Sequence, residues 1–187
     1  GLRRSYDLTI PLLGEHQLDN AAVAVGVAEV LAELGGGTSA ESIATGLSRV
    51  SWPGRLQVLR RDPLLVVDGA HNADSAKKLV RALAEYFRFT KAIMVVGTSR
   101  EKDIAGMVDG LLPLSSNVIV TRSRNPRAAD ASALAAEFSK RGVRAKEAET
   151  VESAVETALR EAGRRDLVCV TGSLFVVAEA IEYSEAT

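Results

Sequence analysis

The sequence holds one cysteine and two histidines in 187 residues. One thiol cannot close an intramolecular disulfide, and so few Cys and His side chains cannot build a Cys/His zinc site. Charge of one sign is also missing: 23 Lys+Arg stand against 24 Asp+Glu, a formal net charge of −1. Without a polybasic field, neither nucleic acid nor an anionic membrane is expected as a partner. No apolar run reaches the ~20 residues that span a bilayer. The opening segment GLRRSYDLTIPLLGEHQ lacks the pattern of a secretory signal, so a cytoplasmic location is expected. The chain starts on Gly1 and leads straight into a strand-like segment, which predicts a portion of a longer protein. No heptad seam is present. Three catalytic signatures are absent as well: the G-x-x-x-x-G-K-[ST] phosphate loop, a G-x-G-x-x-G after a strand, and a G-x-S-x-G elbow. An autonomous NAD site is therefore poorly supported, while plentiful carboxylates leave a magnesium site open.

What is present is a soluble globular composition, 47% hydrophobic and 25% charged. Asp7 to Leu12 alternates in part and reads as a short strand. Asn20 to Leu34 is alanine-rich with helical spacing and stops at Gly35-Gly36-Gly37. Thr38-x-x-Glu41 reads as a capping box opening a short second helix. Trp52-Pro53-Gly54 is a break and places a domain boundary near residue 50, giving 1–50 and 51–187. Beyond it, short apolar runs alternate with amphipathic helices: Leu64–Val67, Ile93–Val96, Val118–Val120, a weak run at Val143–Lys146, and Leu167–Val170. Wholly apolar strands separated by helices predict an α/β, Rossmann-like, mostly parallel sheet with helices on both faces. Ligands of such sheets bind at the carboxyl ends of the strands.

Four loops lie at those ends. Asp68-Gly69-Ala70-His71-Asn72 combines small residues, a carboxylate, a histidine able to donate or accept near neutral pH, and a helix-capping Asn. A strand-to-helix turn requires one cap, not Asp, His and Asn together. Arg55, on the Pro53-Gly54 turn, suits phosphate or carboxylate, and equally suits an exposed linker. Asn20, in GEHQLDNAA, offers a donor and an acceptor that match an adenine edge, or belongs to an ordinary helix start. Ser173, in Thr-Gly-Ser, stands at a helix N-terminus, where it serves as a carboxylate site or as a cap. Lys102 and Asp103 read as charges at a helix start, and Arg122, Arg124 and Arg127 crowd one loop. Cys169 lies inside an apolar strand as a small hydrophobe.

Taken in order, GEHQLDNAA, WPGRLQ, DGAHN, VVGTSREKDI, NPRAAD and TGSLFVVAEA resemble the C-terminal part of the folylpolyglutamate synthase/dihydrofolate synthase branch of the Mur ligases. The resemblance implies an ATP-dependent ligase that joins L-glutamate to a pterin or folate carboxylate through an acyl phosphate. It makes residues 1–50 the end of a central ATP-binding domain and 51–187 the C-terminal domain, with ATP bound between them. By the same resemblance Asn20, Arg55, Asp68 and His71 serve ATP, Arg55 and His71 act in catalysis, and Ser173 and His71 receive glutamate. Glu101 departs from the D-K-D pattern that Lys102 and Asp103 otherwise follow. Magnesium ligands and the phosphate loop are expected outside this chain, which by itself is expected to be inactive, and the resemblance, to a mostly monomeric family, implies a monomer. The competing readings are a ligase of muramyl-peptide or cyanophycin type and a non-catalytic binding module.

Overall fold

A computed structural model describes residues 1–186. The chain divides into two compact units, Gly1–Pro53 and Gly54–Thr187.

The first unit holds two helices, α1 (Glu15–Glu33) and α2 (Ala40–Ser48). Gly14, at φ 106°, turns the chain into α1, and Gln17 N donates to its carbonyl at 2.8 Å. The helix thus begins five residues before Asn20. Gln17, Ala21, Val25 and Glu29 form its buried stripe at i, i+4 spacing. The Glu29 carboxylate accepts the backbone N–H groups of Leu2 and Arg3 and the Tyr6 hydroxyl. Two expectations fail here. Asp7–Leu12 is not a strand, because no other strand lies in this unit to complete a ladder and Pro11 has no N–H to give. The capping box of α2 is Ser39 with Ser42, not Thr38 with Glu41. The Thr38 hydroxyl donates instead to Ala28 O at 2.8 Å, which fastens the loop to α1.

The second unit is a six-stranded sheet. Its strands are β1 (Gln57–Arg61), β2 (Leu64–Asp68), β3 (Ala92–Val96), β4 (Asn117–Val120), β5 (Ala145–Glu147) and β6 (Leu167–Thr171), in the order β1-β2-β6-β3-β4-β5. Only the β1–β2 pair is antiparallel. The polar, half-exposed sequence of β1 hid it from pattern reading, and a bulge interrupts its register between Val58 and Arg60. The helices are α3 (Ala73–Tyr86), α4 (Ile104–Leu111), α5 (Ala131–Ser139), α6 (Val151–Glu161) and α7 (Leu174–Ala186).

Strand alternation builds two cores. Leu65, Val67, Ile93, Val95, Ile119, Val168 and Val170 pack with Val155, Ala158, Val176 and Val177 of α6 and α7. Met94 and Cys169, register partners on adjacent strands, belong to the alternate set, on the face opposite α6 and α7. There α3 and α4 approach so closely that only Gly110 fits: a Cβ there would stand 2.7 Å from Ala76 Cβ and 3.0 Å from Ala73 O. Ala replacing Gly in an exposed helix interior stabilises by about 1 kcal/mol. At this crossing Gly110→Ala is expected to have the opposite sign and cost about 1–3 kcal/mol, read from urea unfolding of the chain.

Cys169 is fully buried, and burial, helped by the Asp68 carboxylate, pushes its thiol pKa far up. Native protein is therefore expected to leave a disulfide reagent unreacted at about pH 8, with one equivalent of thiol appearing on unfolding. Fast labelling of folded protein would contradict this packing.

Candidate functional site

The carboxyl ends of β2, β6, β3 and β4 are joined by main-chain contacts, not only by side chains. Gly69 N donates to Gly54 O at 2.9 Å, Gly172 N to Ala70 O at 2.9 Å, and Gly97 N to Thr171 O at 3.1 Å. Glycine is required where these backbones meet. A Cβ on Gly172, at φ 105°, would lie 2.5 Å from Gly97 O, and one on Gly97 would lie 2.7 Å from Thr121 O. These obstacles are backbone atoms and cannot swing away.

The Arg55 turn is attached to this edge. Gly54, at φ 76°, leaves no room for a Cβ against Val177 Cγ1. Leu56 takes φ 43°, the only positive value among described non-glycine residues, although its side chain is buried. Its N–H donates to Asp68 Oδ2 at 2.9 Å, while Ala70 N donates to Asp68 Oδ1 at 2.9 Å. The Asp68 carboxylate, which the sequence reading assigned to nucleotide, is thus turned toward the backbone of two loops. Arg55 Nη1 lies 2.7 Å from the position a Cβ on Gly69 would take. The guanidinium therefore rests over a bare stretch of main chain, and it makes no hydrogen bond or ion pair with another described residue.

His71 follows in the same loop. Its Nδ1 lies 2.9 Å from Gly69 O. A carbonyl only accepts, so Nδ1 carries a proton, and in the neutral imidazole Nε2 is the acceptor. Asn72 caps α3, its Oδ1 accepting from Ser75 N at 2.8 Å, with Ser75 completing a capping box. Ser173 is buried and caps α7: Val176 N donates to its Oγ at 3.2 Å. Arg55, Asp68, His71 and Ser173 are therefore brought to one edge of one sheet. Asn20 belongs to the first unit, exposed on α1, where its Nδ2 donates to Gln17 Oε1 at 3.0 Å.

The arginine-rich loop proves to be paired. Arg122 meets Asp130, Arg124 meets Glu179 and Glu182, and Arg127 meets Glu101 while its Cζ lies 5.9 Å from the centre of the Phe175 ring. Asp103 caps α4 through Gly106 N, and Lys102 N donates to Ser99 O. Among the described residues no group of three or more His, Cys, Asp or Glu side chains is arranged to hold a metal ion. With both Asp68 oxygens accepting backbone N–H groups, the residues at this edge do not fit a magnesium site. Sequence reasoning missed Leu56, whose left-handed φ no leucine advertises, and Gln57, whose side chain returns to Gly54 N at 2.8 Å. It also missed the buried hydroxyls of Thr98 and Thr121, which find no hydrogen-bond partner among the described residues.

Residues 54–174 match the family model described as Mur ligase, glutamate ligase domain. The chain belongs to the Mur ligase family. A probable bifunctional folylpolyglutamate synthase/dihydropteroate synthase of Halobacterium salinarum is 42% identical over 172 residues, covering 91% of this chain and 20% of that protein. The folylpolyglutamate synthase of Mycobacterium tuberculosis, solved with ADP and AMPPCP, superposes with a TM-score of 0.83 at 32% identity, over 96% of this chain and 42% of that one. A bifunctional folylpolyglutamate synthase/dihydrofolate synthase solved with Mn, AMPPNP and L-glutamate gives 0.83 at 36% identity, over 97% and 42%. The chain thus spans between a fifth and about two-fifths of the length of these relatives.

The shared edge yields a stability prediction. Gly172→Ala is expected to cost more than about 2 kcal/mol, from its positive φ and the fixed Gly97 carbonyl. Thermal unfolding of the variant within a degree of the unaltered chain would contradict the contact.

Proposed function

We propose that the chain is the C-terminal portion of an ATP-dependent ligase that adds L-glutamate to dihydropteroate, to folylpolyglutamate, or to both. The observation that carries this reading is the Arg55 guanidinium, without a hydrogen bond or ion pair to another described residue and held over the Gly69 backbone beside His71 at the carboxyl end of β2. Relatives solved with ADP, AMPPCP, AMPPNP and L-glutamate support the same ligand set.

In this reading a substrate carboxylate oxygen attacks the γ-phosphorus of ATP and ADP leaves. The glutamate nitrogen then attacks the acyl carbon, and phosphate leaves. Arg55 stabilises charge on the transferring phosphoryl group, where a fixed cation acts without reorganisation. His71, its Nδ1–H fixed on Gly69 O, accepts from the glutamate ammonium through Nε2. Ser173 and the first turn of α7 receive a glutamate carboxylate. Asn20 reads adenine from the 1–50 segment, the end of a central ATP-binding domain, and Asp68 serves the ATP site. Metal ligands and the phosphate loop come from residues outside this chain, so the chain alone does not turn over. A cytoplasmic location accompanies these substrates.

The test uses a full-length parent protein with Mg-ATP and glutamate, dihydropteroate in one sample and tetrahydrofolate in another. ADP release that depends on either pterin is expected and tells the two activities apart. Release that depends instead on a muramyl nucleotide, or no release from folded, ATP-binding protein, would overturn the assignment. Arg55→Ala is expected to lower kcat/KM about 10²–10³-fold with unchanged circular dichroism. Normal turnover by that variant would remove Arg55 from the role.

A further inference from the structure

A guanidinium on a flexible four-bond stem stabilises transferred charge only if its backbone is fixed first. The residues around Arg55 are fixed at three points. Gly54 O accepts from Gly69 N at 2.9 Å, Leu56 N donates to Asp68 Oδ2 at 2.9 Å, and Gly54 N donates to the side-chain Oε1 of Gln57 at 2.8 Å. The first two contacts tie the turn to the DGAHN loop. The third closes the turn on itself, around Arg55. It also supports a costly conformation: Leu56 keeps φ 43° between the two residues that Gln57 links. A non-glycine residue in that region costs on the order of 1 kcal/mol and persists only where its surroundings over-determine it.

We propose that Gln57 is a positioning residue for Arg55. Its amide oxygen holds the Gly54 N–H, keeps the left-handed Leu56 turn closed, and so keeps the guanidinium over Gly69. The role requires an acceptor oxygen at that reach, whether amide or carboxylate, and it acts only through Arg55. The inference rests on the reading of Arg55 as a phosphate-directed group.

The experiment takes the full-length parent and compares Gln57→Met, which keeps length without the acceptor, with Gln57→Glu, which keeps an acceptor. Each is made alone, and Gln57→Met is also combined with Arg55→Ala. Measured are kcat and KM for ATP, ADP affinity by titration calorimetry, and thermal midpoint. Gln57→Met is expected to lower kcat/KM for ATP about tenfold, the scale of one lost hydrogen bond, and Gln57→Glu to restore it to within about twofold. With Arg55 already replaced, Gln57→Met is expected to cost nothing further, because the pair acts as one unit. Three results would overturn the proposal: full activity of Gln57→Met, the same fold-loss with and without Arg55, or a Gln57→Met protein too unstable to purify. The last would make Gln57 a folding residue. An Arg55→Ala enzyme of normal activity would overturn the phosphate reading itself, and this inference with it, and is told apart by that single variant.

Discussion

Backbone meeting backbone at the carboxyl edge is the constraint on which the second unit depends. Gly54 to Gly69, Ala70 to Gly172 and Thr171 to Gly97 form a line of N–H···O=C bonds across strands that are distant in sequence. Side chains would hold those loops farther apart. Where a Cβ on Gly172 would stand 2.5 Å from Gly97 O, the sheet order β2-β6-β3 and the absence of a Cβ are one fact stated twice. The same contacts set where Arg55, His71 and Ser173 are found, since each lies within two residues of a bonded glycine or of Ala70.

Electrostatics divides the arginines of this edge into two kinds. Arg122, Arg124 and Arg127 are balanced by Asp130, Glu179, Glu182 and Glu101: Arg124 binds the 121–130 segment to α7, Arg127 binds it to the loop after β3, and Arg122 pairs with Asp130 inside it. Exposed pairs of this kind add little stability, so their effect is to set loop position and to cancel local charge. Arg55 is treated differently. It sits on a turn held through Gly54 and Leu56, and its guanidinium has no hydrogen-bond or ion-pair partner among the described residues.

Much of the fold was legible because buried parallel strands announce themselves as apolar runs: Leu64–Val67, Ile93–Val96 and Leu167–Val170 each became a strand. Asn72 was legible as a cap from residue type alone, and for Ser173 a cap was one of two readings. β1 was not legible, since an edge strand reading Gln-Val-Leu-Arg-Arg buries too little to show a pattern. Nor was the shift of the α2 cap from Thr38 to Ser39, because both residues are good caps and only the hydrogen bond to Ala28 separates them. At the site, residue types pointed to Arg55, Asp68 and His71. The geometry around them, above all the Asp68 carboxylate bridging two backbone N–H groups, depends on a loop conformation that a single sequence does not display.

The left-handed turn at Leu56 has a consequence for the thermodynamics of association. A turn that is already closed in the folded chain loses little conformational freedom when an anion arrives, because its ordering was completed during folding. The unfavourable entropy is moved from the binding equilibrium to the folding equilibrium, where a buried leucine side chain offsets it. On the proposed role of Arg55, ligand capture at this edge would be governed by desolvation of a single cation rather than by the assembly of a loop.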